Sequence, residues 1–345
     1  MSATSQAAVV PLKPRRTAAA KPRLGFLGLG WIGRARMQAL VAAQVAEVVA
    51  VADADPKLAE EAARVGGAQA CASLDHLLRQ RLDGVVIATP SALHARQAVA
   101  ALERGLAVFC QKPLARTAAE AAQVVMAAHA YDRLLGVDFS YRRVAGVAAL
   151  REEICAGELG EIYAVDLTFH NAYGPDKAWF YDVTQSGGGC VMDLGVHLID
   201  LAMWVTGHAH AEALDARLYQ RGKRLRPPVA VPEDYASVQY RLDDGACVRL
   251  TCSWRLPAGV DAVIEASFYG TRGGASLRNV GGSFYDFTVD RHDGTRSRRL
   301  AAPPDAWGGR ALLDWTRKLA HDGHFDPEAR RLVDVAAIVD RIYGR

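Results

Sequence analysis

The chain has 345 residues, half of them apolar and 23% charged, with a formal net charge of +3. That length exceeds one ordinary core and suits two domains of average size, and the composition is that of a soluble globular enzyme. So small a charge gives no reason to expect nucleic acid or an anionic membrane as a partner.

Residues 1–22 carry an Arg15-Arg16 pair, but two more basic residues and a proline follow it where an export signal would place a continuous apolar stretch. They read as a flexible tail. No run approaches the length of a transmembrane helix. From "LGFLGLG" onward, short valine-rich runs alternate with helical patterns. A helix is expected from about Trp31 to Gln44, followed by the strand "EVVAVAD" and a helix opened by Asp55-Pro56. Ser73 caps the next helix, and "DGVVIATP" is a strand ending in a turn. Then come a helix over 94–104, the strand "LAVFC", a long helix over 117–131 and the strand "LLGVDFS". Short unbroken apolar runs are expected of parallel strands buried on both faces. Six strands separated by helices predict an α/β domain over 23–141 with a doubly wound parallel sheet.

Beyond a helix ending near "AGELG" the pattern changes to alternation. "IYAVDLTF" sets Tyr163, Val165, Leu167 and Phe169 on one side. "YASVQYRLDDGACVRLTCSW" alternates around an Asp-Gly turn, a hairpin signature that two later stretches repeat. Residues 142–345 therefore predict an α+β domain with a large, open, mainly antiparallel sheet. One face must be covered by helices, the other by helices or a partner subunit. The six cysteines are scattered without a CxxC pattern, which fits a reducing, cytoplasmic setting.

Gly28-Leu29-Gly30-Trp31-Ile32-Gly33 fits G-x-G-x-x-G, after a strand and at the start of a helix. That context points to a dinucleotide: a tight turn at Gly28, pyrophosphate approach at Gly30, close helix packing at Gly33. The helix N-terminus offers free N–H groups to the phosphates. Asp53 ends the second strand, where a carboxylate accepts from ribose hydroxyls and repels a 2′-phosphate. Ala54 follows it, so NAD is expected over NADP. Thr89, Pro90 and Lys112 sit at carboxyl ends of later strands, where such sheets bind ligands. Lys112 is suited to bonding a substrate hydroxyl, although a solvated surface lysine would read the same way.

Asp193 and His197 lie four apart in "GGGCVMDLGVHLID". A metal clamp, an acid/base pair and an ordinary capped helix all fit that spacing. Metal would require further ligands, and His208 and His210 lie beyond the helix end at Gly207, so no metal is expected.

With "GLGWIG", "TPSALH", "CQKPLA" and "GGGCVMDLGVHLIDLAMW" in that order, the chain resembles the Gfo/Idh/MocA family of oxidoreductases. The resemblance covers nearly everything after the tail. It implies an NAD(P)-dependent enzyme acting on a sugar, cyclitol or related polyol, assembled as a homodimer or homotetramer through the open sheet. It places the cofactor on Gly28, Gly30, Trp31, Ile32, Gly33, Asp53, Thr89, Pro90, His94, Gln111 and Lys112. It also turns Asp193 and His197 toward the nicotinamide, across from Lys112. His197 is then the general acid/base, Lys112 the alkoxide stabiliser and Asp193 a positioning group. The family usually has Glu-Lys-Pro where this chain has Gln111-Lys112-Pro113. The lost charge either removes a partner from Lys112 or alters cofactor grip. The aromatic stretch before the glycine triplet offers His170, Tyr173 and Trp179 as substrate contacts or as filling of the domain junction. An NADPH-dependent reductase and a silent NAD-binding sensor are the alternatives to an NAD-dependent dehydrogenase.

Overall fold

The computed structural model describes residues 21–345, so the expected tail lies outside the described residues except for Lys21 and Pro22. The first sheet contains β1 (Arg23–Leu27), β2 (Glu47–Ala52), β3 (Gln69–Cys71), β4 (Gly84–Ile87), β5 (Ala107–Cys110) and β6 (Leu135–Val137). All pairs are parallel in the order β3-β2-β1-β4-β5-β6, the doubly wound arrangement expected. Every residue of β4 and β5 is buried, which is why those runs are apolar without alternation. The helix after β4 spans Ser91–Leu102, starting three residues before the expected 94, because Pro90 sits at its N-cap with φ already preset.

The second sheet has nine strands: β7 (Ile162–Asn171), β8 (Ala211–Gln220), β9 (Lys223–Arg224), β10 (Tyr235–Leu242), β11 (Cys247–Ser253), β12 (Ala262–Gly270), β13 (Gly274–Asn279), β14 (Phe287–Asp293) and β15 (Arg296–Ala301). Their order is β15-β14-β13-β12-β7-β11-β10-β8-β9, antiparallel except for β7 beside β11. The three expected hairpins form, as β10–β11, β12–β13 and β14–β15.

One register detail departs from expectation. Val165, Leu167 and Phe169 are buried together, but Tyr163 is 58% exposed and Ile162 is buried in its place. A bulge explains this: Ala164 pairs with Tyr269 and Ile162 with Gly270, leaving Tyr163 as the extra residue. An extra residue inverts the alternation beyond it.

The stretch Val183–Thr206, helical apart from the bend at Gly187–Gly189, corrects the expectation that no run reaches membrane-spanning length: 24 residues meet that test by length and composition. Most of that stretch is buried inside the protein. A core helix packed on all sides carries the same apolar composition as a spanning one. Toward the C-terminus, the helix Arg310–His321 returns to the first sheet, where Leu312 and Trp315 join its core. The Trp315 ring lies so close to Gly84 and Gly136 that a Cβ there would come within 2.9 and 2.6 Å of it.

Candidate active site

The carboxyl ends of the parallel strands face one cleft of about 850 Å³. Asp53 follows β2, Thr89 follows β4, Gln111-Lys112-Pro113 follow β5, and Asp138 follows β6; all line it. Across the cleft stand Met192, Asp193 and His197 from the helical stretch on the second sheet.

The glycine turn fits a dinucleotide. Gly28 has φ +88°, and a Cβ on Gly33 would lie 2.1 Å from the Gly28 carbonyl oxygen, so helix and turn touch backbone to backbone. At Gly30 an added Cβ would meet nothing within 4 Å, which leaves open space at the helix N-terminus where a pyrophosphate would approach. Trp31, the first helical residue, is 70% exposed on the cleft rim, and Ile32 lines the same wall. Asp53 is fixed by two backbone donors, Leu29 N at 2.6 Å and Asp55 N at 2.9 Å.

His94 ties two strand ends together: Nε2 lies 2.7 Å from the Thr89 carbonyl and Nδ1 2.7 Å from that of Pro113. Burial lowers its pKa and the two carbonyls oppose that shift. Thr89 Oγ1 donates to Gln97 Oε1 at 2.6 Å, and Pro90 lines the cleft beside it. His94 therefore fixes the turn that presents Lys112.

Lys112 Nζ donates to Asp193 twice, to the backbone oxygen at 2.7 Å and to Oδ1 at 2.8 Å. Trp254 Nε1 donates to the other carboxylate oxygen at 3.1 Å. Asp193 is thus held from both sides, by a cation and by an indole. It sits in a wider π-helical turn, Val191–Gly195, inside the expected helix. Such turns recur at functional sites. His197 follows on the same helix with its ring edge-on to Tyr141 at 5.1 Å and Phe139 at 6.4 Å. Its Nδ1 is buried without a hydrogen-bond partner. Burial, then the Lys112 and Arg36 cations, hold the imidazole well below its usual range, so it stands neutral at pH 7.

Gln111 does not contact Lys112. Its Nε2 donates to Asp138 Oδ2 at 2.5 Å, and Lys112 has its carboxylate partner in Asp193. Among the described residues, no group of three or more His, Cys, Asp or Glu is placed to hold a metal ion. His208 lies between Asp243 and Asp244 instead, at 2.7 and 2.8 Å.

A family model for an oxidoreductase family with an NAD-binding Rossmann fold matches residues 23–139, and a GFO/IDH/MocA C-terminal domain model matches 147–276. The chain belongs to the Gfo/Idh/MocA family. It is 30% identical to a putative UDP-kanosamine synthase oxidoreductase subunit of Amycolatopsis mediterranei, over 93% of this chain and 95% of that protein. Inositol 2-dehydrogenase of Leifsonia xyli is also 30% identical, covering 83% and 88%. The structure of GenD2 from gentamicin A biosynthesis, in complex with NAD, superposes with a TM-score of 0.78 over 97% of this chain and 98% of that one. At 24% identity, that likeness shows the fold.

Membership in the Gfo/Idh/MocA family fits the meeting of "QKP" and "DLGVH" in one cleft. It does not account for every aromatic residue before the glycine triplet. Trp179 lines the cleft, stacked on Phe180 with ring centroids 3.8 Å apart. Tyr173 does not: it is 56% exposed and donates its hydroxyl to Asp261 at 2.5 Å. His170 also lies outside the cleft lining, with Nδ1 2.8 Å from Ser253 Oγ and its ring stacked on Tyr235. It shares a strand side with Asp166 and Thr168, opposite the buried Phe169, so alternation points it away from the helix that carries Asp193 and His197.

Local pattern missed several residues of the site. Trp254 follows β11 as an ordinary strand-end aromatic. Glu233 is fully buried, its Oε2 accepting from Gly189 N at 2.9 Å and its Oε1 from Val191 N at 2.8 Å. Tyr343, near the chain end, donates to Glu233 Oε1 at 2.8 Å and accepts from Gly189 N and Met192 N at 3.2 Å each. Together they satisfy N–H groups at the start of the helix that carries Asp193. A Cβ on Gly189 would sit 2.0 Å from the Glu233 carbonyl oxygen, so the triplet serves this packing. Its one sequence signal is the run of three glycines itself.

Proposed function

We propose that the protein is an NAD-dependent dehydrogenase of a secondary alcohol in a sugar, cyclitol or related polyol. The observation that carries this reading is the convergence of Lys112, Asp193 and the neutral His197 on the cleft that the glycine turn opens. When bound, NAD supplies the hydride acceptor. The protein's own groups handle the proton and the geometry. His197 Nε2 takes the carbinol proton, a role that requires the neutral imidazole. Lys112 bonds the substrate oxygen and stabilises its alkoxide character, while Trp254 and Lys112 hold Asp193 in place. Tyr141, Trp179, Phe180 and Trp307 form apolar walls that keep water from the reacting carbon and offer flat faces to sugar C–H surfaces.

NAD is favoured over NADP because the Asp53 carboxylate, held by two backbone donors, lines the cleft beside Ala54. A 2′-phosphate there would meet a fixed negative charge. The second sheet presents a face with Tyr163 and Tyr269 exposed, at 58% and 38%, and that face is where a second copy would dock as a homodimer or homotetramer.

A panel of sugars and inositols assayed with NAD and NADP, following nicotinamide absorbance, tests the reading. Turnover with NAD on a cyclic polyol is expected. Turnover with NADP alone would overturn the cofactor assignment, and saturable NAD binding without turnover across the panel would favour the sensor.

A further inference from the structure

Asp138 has the least exposed carboxylate bordering the cleft, its side chain 0% exposed, and it joins three separate elements. Its Oδ2 accepts from Arg36 Nε at 2.6 Å and from Gln111 Nε2 at 2.5 Å. Its Oδ1 accepts from Ser140 Oγ at 2.5 Å, and Arg36 Nη2 reaches the same hydroxyl at 3.2 Å. Arg36 comes from the helix behind the glycine turn, Gln111 from the turn after β5, and Ser140 from the start of the short 3-10 helix after β6. We propose that Asp138 is the positioning carboxylate of the nicotinamide end, holding Arg36 and Gln111 together and requiring an uncharged amide at position 111.

The requirement follows from donors and acceptors. A carboxylate can only accept, so the nitrogen of the Gln111 amide must face Asp138 and its Oε1 is left as an acceptor on the cleft wall. A glutamate at 111 would set an oxygen 2.5 Å from Asp138 Oδ2. Two carboxylates that close cannot both stay ionised, so one must take a proton or swing out of the site. The single Arg36 cation is already bonded to Asp138 and cannot balance both. The charge that Gln111 lacks is therefore present one strand away, on Asp138.

The Arg36–Asp138 pair also bears on His197. Arg36 disfavours the imidazolium, and Asp138 pairs with that cation at 2.6 Å. The other groups about the ring are Lys112 from the β5 turn and Tyr141 and Phe139 after β6, with Asp193, the partner of Lys112, four positions before it on the same helical stretch. Removing the Asp138 charge leaves Arg36 unbalanced, and the proton on His197 becomes harder to hold.

This inference rests on the reading of the cleft as an NAD site, and a charge-swap cycle separates the two. The parent, Gln111→Glu, Asp138→Asn and the double variant are compared by melting of the cofactor-free protein, by NAD titration calorimetry and by the pH profile of kcat/KM. Gln111→Glu is expected to melt lower and to bind NAD at least about ten-fold more weakly, with most of both losses regained in the double variant. Asp138→Asn is expected to move the acid limb of the oxidation profile to lower pH. Additive losses in the double variant, or a Gln111→Glu protein that binds NAD like the parent, would overturn the proposal. An acid limb that stays in place in Asp138→Asn would overturn the link to His197. Should the parent bind no NAD, the proposed function fails, while the melting cycle still decides the arrangement around Asp138.

Discussion

Lys112 and Asp193, 81 positions apart, meet through two hydrogen bonds from one ammonium group, at 2.7 and 2.8 Å. The pair joins the turn after β5 to the helical stretch that carries His197, so a cation, a carboxylate and a neutral imidazole border one cleft. Replacing Lys112 with Met leaves Asp193 with only Trp254 as a partner. Breaking a buried pair costs ~3–5 kcal/mol, and this one, 18% and 15% exposed, should fall below that range. Lys112→Met is expected to lower the melting temperature and abolish measurable turnover. The double variant with Asp193→Asn should melt higher than Lys112→Met alone.

His197→Gln should cut turnover by roughly 10²–10⁴-fold, with NAD affinity unchanged by calorimetry. Turnover within a factor of about three of the parent would remove His197 from the chemistry.

The half-buried His197 also links stability to pH. Its pKa in the folded protein lies well below the value near 6.5 that it has when unfolded. The unfolded chain therefore binds the proton first, and stability present above pH ~6.5 is lost as pH falls toward the folded value. His94, whose pKa is also lowered by burial, contributes in the same direction. Thermal melting between pH 5 and 8 should fall toward acid for the parent and less steeply for His197→Gln.

Trp254→Phe deletes the donor to Asp193 Oδ2 while keeping an aromatic ring in place. A hydrogen bond to a charged group contributes about 1.5–3 kcal/mol, so kcat should drop by roughly ten-fold or more. The KM for NAD should not move, because the indole touches Asp193 and not the glycine turn.

Asp53→Ser removes the carboxylate that Leu29 N and Asp55 N orient. The proposed preference for NAD over NADP should narrow by about ten-fold or more, equivalent to ~1.4 kcal/mol. Ratios of kcat/KM for the two cofactors measure it, and an unchanged ratio would show that Asp53 does not select the cofactor.

Tyr343→Phe leaves the Glu233 carboxylate without its hydroxyl donor and Met192 N without the hydroxyl that accepts from it, while Gly189 N keeps Glu233 Oε2. An unsatisfied buried group costs about 1–3 kcal/mol. The melting temperature should fall, and so should kcat, since this contact seats the helix carrying Asp193 and His197.

Much of this molecule is legible along the chain. Unbroken valine-rich runs announce strands buried on both faces, and an Asp-Gly turn between alternating runs announces a hairpin. Gly28 to Gly33 and Asp53 are legible because a dinucleotide site is made from one strand, one turn and one helix in succession. Lys112, Asp193 and His197 were found through motifs, each short enough to recognise within a few residues. Tyr163 was misplaced because a single bulge, invisible in the alternation itself, inverts the strand's parity.

What only the tertiary structure decided is which groups are partners. Arg36 and Asp138 lie 102 positions apart, Trp254 and Asp193 61, Tyr343 and Gly189 154. A hydrogen bond between such residues imposes no periodicity on the sequence at either end. Gln111 shows the consequence. By itself the chain determined that position 111 carries no charge, while the fold decided that a buried carboxylate stands 2.5 Å away, where a second could not remain ionised.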